Sequence, residues 1–228
     1  MTSHPTGSSM NARGSTSGAD GRFRPHPPPG PAIDALLVAV AICLGYLLIA
    51  VPNVELITFT TFAAGFVLGR GRGALVGALA MAVYSGINPY GSGLAVPSVY
   101  VAQVAATALA GFVGGVSRAA FASAHRDATD GDRMTPAHSV IGACIGFLLT
   151  LAYQSAVVLG LAALSLEFRV GLFAALAANA LFSIVHLVSN TVIFAFLTPV
   201  VLPRLTALAA RLGRRRRAAG RRGNEEHP

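Results

Sequence analysis

The sequence predicts an all-α integral membrane protein, a six-helix transmembrane bundle with both termini in the cytoplasm, and three observations predict it. Hydrophobic residues make up 54% of the 228-residue chain and charged residues 11%, with mean hydropathy +0.62. One soluble core of this size cannot hide that much apolar surface. The apolar residues gather into six stretches, 33–51, 56–68, 74–87, 97–122, 137–166 and 171–202, which thread a bilayer as helices. All 17 basic residues are arginine, and in that threading only Arg169 falls outside. Arginine in short flanking loops sets orientation during insertion, so the links near Asn53, Pro89 and Glu167 face outward.

Residues 1–31 are rich in Ser, Gly, Thr and Pro and hold too little apolar content to fold, so they read as a disordered cytoplasmic leader. No cleavable signal peptide precedes the first helix, which should be retained. Residues 32–203 form the transmembrane domain. The second and third stretches are short and joined by the Gly-Arg-Gly-Arg-Gly link at 69–73. Two short spans are expected there, because a re-entrant hairpin would bring Arg70 and Arg72 into hydrocarbon at a few kcal/mol each. The link at 88–97 is uncharged and built from turn formers, as a mobile lid would be. Residues 204–228 form a basic cytoplasmic tail, which anchors topology and touches anionic lipid. No aromatic residue interleaves its arginines to stack on bases, which speaks against nucleic acid.

Composition also excludes chemistry. A chain without lysine has neither a Gly-Lys-Ser/Thr phosphate loop nor a Schiff-base lysine, so it is expected not to be an enzyme of either kind. His186 reads as the sole intramembrane histidine and has no adjacent Glu, so no zinc-protease motif forms, and neither a metal nor another cofactor is expected. Cys43 and Cys144 read as small packing residues. The helices carry almost no carboxylate away from their ends, which disfavours a proton- or sodium-coupled carrier.

Glycine pairs four apart, Gly65 and Gly69, Gly73 and Gly77, Gly111 and Gly115, Gly142 and Gly146, give flat helix strips for internal packing. Ala35 and Ala39 form a similar strip at the start of the first helix, where it serves either packing or a partner helix.

A set of polar side chains converges on the outer side. Tyr84 ends the third helix, Asn88 and Tyr90 lie in the link after it, and Tyr100 and Gln103 open the fourth. Tyr153 and Gln154 sit in the middle of the fifth. On the sixth, Asn179, Ser183 and His186 share one face, which Asn190 continues. Intramembrane amides and histidine favour the bundle interior, so these residues are expected to line one outward-facing cavity. Glu55, where the chain enters the second helix, can cap that helix's free N–H groups or hold a ligand cation, and capping is the expected role.

The runs Pro52-Asn-Val-Glu-Leu-Ile-Thr-Phe, Ala64-Gly-Phe-Val-Leu-Gly, Gly73-Ala-Leu-Val-Gly-Ala-Leu, Asn88-Pro-Tyr-Gly with Gln103, and Gly111-Phe-Val-Gly-Gly, together with Ser189-Asn-Thr and Pro199, resemble the substrate-binding S components of energy-coupling factor (ECF) transporters. The resemblance covers most of residues 33–203. It implies six helices with both ends inside, an outward cavity gated by the links after the first and third helices, and no ATPase of its own. It further implies a prokaryotic cell membrane, docking of Ala35 and Ala39 on a transmembrane coupling subunit served by two cytoplasmic ATPases, and capture of a vitamin. The chain departs from the metal-importing branch, whose N-terminal histidine has no counterpart except His4 in the leader. A cavity of amides and tyrosines suits a large neutral or hydrogen-bond-rich molecule better than a cation such as thiamine. The likeness of the Asn-Val-Glu stretch to S components for cobalamin implies that cargo first, with riboflavin, biotin, pantothenate and a queuosine precursor as the alternatives. The competing expectations are a stand-alone carrier or channel, which needs a polar path to the cytoplasm, and a scaffold without a ligand.

Overall fold

The computed structural model describes residues 30–51, 54–89, 92–121 and 136–225, with side chains given up to residue 208. All regular structure among them is helical: α1 (Pro31–Leu47), α2 (Ile57–Leu68), α3 (Arg70–Gly86), a 3₁₀ turn (Gly93–Ala95), α4 (Pro97–Val116), α5 (Pro136–Ala162) and α6 (Phe168–Glu225). Proline at the first turn starts α1 and α4, where its missing N–H is harmless. Three helical stretches, Pro97–Phe121, Pro136–Ala162 and Phe168–Leu208, are long and apolar enough to cross a membrane. Their outer faces carry large exposed apolar side chains, among them Phe173, Leu181 and Phe196, which water would not tolerate in such numbers. The chain is a membrane protein by this measure.

Helix α2 is the hub, packed against α1, α3, α4 and α6, while α5 pairs with α6 and leans on α4. Close approach is set by glycine. A Cβ at Gly65 would lie 1.8 Å from Gly111 O, at Gly111 2.0 Å from Gly73 O, and at Gly114 1.9 Å from Phe62 O. Gly142 and Gly146 do the same for α5 against Phe194 and Thr198 of α6. The strips are therefore internal packing, with one exception. Gly69 meets nothing within 4 Å and has φ +96°, so it serves as the one-residue turn from α2 to α3.

That turn corrects the expected 69–73 link, since helix resumes at Arg70. Arg72 donates through Nη2 to Asp34 Oδ1 at 2.5 Å and through Nε to Asp34 Oδ2 at 2.9 Å, tying α3 to α1. Arg118 donates to the carbonyls of Phe66 and Val67, which lack helical partners at the end of α2. At the other end of the chain, α6 runs through the expected tail boundary as helix to Glu225.

Helix α2 has only 12 residues and is about 18 Å long, short of the ~30 Å hydrocarbon layer. The described residues just before it, 54–56, are not helical. Irregular backbone at membrane depth persists only where protein covers it or where it lines a polar site.

Candidate functional site

That irregular segment carries Glu55. The N-cap of α2 is Leu56, in helical backbone geometry and with no side-chain cap bond, so the expected capping role of Glu55 is not realised. Its Oε1 instead accepts a hydrogen bond from Thr58 Oγ1 at 2.6 Å and lies 3.3 Å from His186 Nε2 on α6. His186 is buried, at 4% exposure, and Glu55 is mostly covered, at 13%. The Tyr153 ring packs edge-on to His186 with centroids 5.4 Å apart, and its hydroxyl pairs with Gln103. Gln103 Oε1 also accepts from Ser85 Oγ at 2.6 Å. Glu55 acts electrostatically on the phenols of both Tyr84 and Tyr153. The Tyr84 ring lies 5.0 Å from that of Tyr46, whose hydroxyl donates to Tyr84 O.

Five helices and one link thus place a carboxylate, an imidazole, three phenols and an amide around one point. Tyr153, level with it, stands nine residues before the end of α5, so α5 continues about 14 Å beyond it toward Ala162. A buried carboxylate with an imidazole beside it can hold a polar or charged group, and the surrounding tyrosines supply flat apolar walls with polar ends.

Of the expected cavity residues, the structure brings Tyr84, Gln103, Tyr153 and His186 together. Tyr100 spends its hydroxyl on Ala82 O at 3.2 Å, and Asn179 donates its amide to Ala175 O of its own helix. Ser183 and Gln154 are half-buried on α6 and α5 and make none of the bonds above. Asn88 is half-buried just beyond α3, and Tyr90 lies outside the described residues. The expected mobile lid is tied down where it is described, with Ser92 Oγ donating to Gly86 O at 2.7 Å and then accepting from Leu94 N.

The sequence reading set Glu55 aside as a helix cap and missed Thr58, Ser85 and Tyr46. The signal for Glu55 was present: it is a lone acid in an uncharged outer link. His186 is also not the only buried histidine, since His138 is fully buried and stacks on Phe121 with centroids 5.8 Å apart. Cys43 and Cys144 are exposed on the outer helix surfaces and do not pack inside. Among the described residues no group of three metal-ligating side chains forms.

Ala35 and Ala39 are both exposed, whereas Ala41 and Gly45 of the same helix are buried. The strip therefore packs against nothing within the described bundle. A separate cavity of about 370 Å³ lies on α5 and α6, lined by Ala143, Cys144, Phe147, Leu148 and Thr191. Its lining offers little polarity, because Thr191 returns its hydroxyl to Leu187 O. No protein-family model, curated protein or solved structure matches this chain.

Proposed function

We propose that the chain is the substrate-binding membrane component of an ECF-type importer, which captures a vitamin or similar micronutrient outside a prokaryotic cell membrane. The observation that carries this reading is the Glu55–His186–Tyr153–Gln103 group, held beneath the outer ends of the neighbouring helices on a short α2. In this reading the chain crosses the membrane six times with both ends inside. The crossing at α2 is part helix and part link, and the recess above it receives substrate.

The exposed Ala35 and Ala39 supply a flat docking strip for a transmembrane coupling subunit. Two cytoplasmic ATPases provide the energy, since a chain without lysine has no phosphate loop. Glu55 sharpens the expected substrate. The site holds a carboxylate, so a cobalamin-like cargo, the first choice from the resemblance of the Asn-Val-Glu stretch, competes with smaller polar vitamins that would use one.

A stand-alone carrier or channel requires a continuous polar path, and below His186 that path meets Phe194 packed on Phe59 and Phe62. Mass spectrometry of small molecules that co-purify with the detergent-solubilised protein tests the proposal, together with thermal shift against water-soluble vitamins. One vitamin found bound and stabilising supports it; no bound molecule and no shift across the panel rejects it.

A further inference from the structure

Asn190 follows His186 by one turn on the same face of α6 and is completely buried. Neither polar atom of its amide has a hydrogen-bond partner in the protein, and His186 Nδ1 has none either. Leaving such groups unpaired is destabilising, and a leucine would fill a similar volume without that penalty. The layer that holds them is bounded on both sides. Beneath it Phe194 packs on Phe59 and Phe62 with centroids 5.1 and 5.2 Å apart, and above it stand Glu55 and Tyr153.

We propose that Asn190 and His186 form the inner end of the binding site and take the edge of a planar, neutral amide-type group, such as a carboxamide, cyclic urea or imide. A primary amide presents a donor and an acceptor side by side, so its full complement is another edge of the same kind. An ammonium would satisfy Glu55 but offers no acceptor to Asn190 Nδ2. A carboxylate would satisfy Nδ2 but would meet the like charge of Glu55. The neutral edge pairs both Asn190 atoms and leaves the Glu55–His186 contact in place. This inference rests on reading the chain as a small-molecule binding component.

The test uses the full-length protein in detergent and measures thermal shift and calorimetric affinity. Four probes carry such an edge: biotin, nicotinamide, riboflavin and cyanocobalamin. Two comparators lack it, lipoate for biotin and nicotinate for nicotinamide. At least one edge-bearing probe is expected to stabilise the wild type. Asn190→Leu should raise the ligand-free melting point yet weaken that probe by about tenfold or more. Thr198→Val removes another buried, unpaired hydroxyl, beyond Phe194, and should leave affinity unchanged.

Wild-type affinity retained in Asn190→Leu, or a response confined to lipoate or nicotinate, overturns the inference while the binding-component reading stands. If no edge-bearing probe shifts the wild type while another vitamin of the wider panel does, the inference is overturned and the binding-component reading stands; if nothing in the panel shifts it, both fall. Should Asn190→Leu fail to fold, Asn190→Asp keeps the shape, replaces the donor with an acceptor, and is judged by the same loss of affinity.

Discussion

Helix α2 and the outer part of α6 are similarly apolar and have opposite surroundings. Every residue of α2 except Val67 is buried, whereas among residues 168–185 of α6 only Ala175 is. Hydropathy cannot separate the two, because lipid is as apolar as a protein interior and gives helices no hydrophobic reason to associate. The difference lies in the partners. Helix α2 faces glycines of α3 and α4 that let backbones touch, and its threonines hide their polarity, Thr60 and Thr61 donating to Leu56 O and Thr58 O. The outer part of α6 has α5 on one side and no comparable neighbour on the other.

The sharpest way to break this contrast is to block the approach to α2. Gly65→Leu would place side-chain carbon where Gly111 O already sits, and the overlap should exceed about 3 kcal/mol and leave little folded protein by size-exclusion in detergent. Phe62→Ala empties a fully buried site and should lower stability by about 3–5 kcal/mol in thermal unfolding. The matched truncation on α6, Phe182→Ala, removes a side chain that is 49% exposed and should change it by about 0.5 kcal/mol or less. Equal effects would dissolve the distinction.

Arg72→Ala removes the two-pronged bond to Asp34 at the α1–α3 contact. The pair is partly exposed, at 24% and 21%, so a loss of about 1 kcal/mol is expected, shrinking with added salt. The smallest effect on stability belongs to the exposed strip of α1. Replacing both Ala35 and Ala39 by Leu should leave melting and ligand affinity within error and abolish uptake in cells, if a partner helix docks there. Uptake at the wild-type rate would remove the strip from the coupling interface.

Much of the fold was legible. The helices begin and end within a few residues of the hydropathy boundaries, apart from the ends of α1, α4 and α5, the start of α3 and the long continuation of α6. Proline starts and the glycine strips carried over directly. The site was legible in part, since Tyr84, Gln103, Tyr153 and His186 were named from their depth and polarity. Glu55 was read as a cap because a carboxylate two residues before a helix usually can reach its free N–H groups. Here Leu56 already takes helical geometry, φ −104° and ψ −2°, and the carboxylate turns to α6 instead. Asn179 shares a helix face with His186, but its amide is occupied by its own backbone. A periodicity argument sees the shared face and not that bond.

The sequence by itself determined that this is an α-helical membrane protein, and the placement of its arginines sets the expectation for which side each end faces. Both follow from quantities that add up locally along the chain, hydrophobic transfer and charge at the ends of spans. Which groups meet was decided by tertiary structure alone. Glu55 and His186 lie more than half the chain apart, and nothing in either neighbourhood encodes the other. Their contact exists because glycine lets α2 sit at the hub, because α2 is short, and because α6 presents His186 about five turns into its length beside the segment before α2. Each of these is a property of several helices packed together, which no single stretch of residues carries.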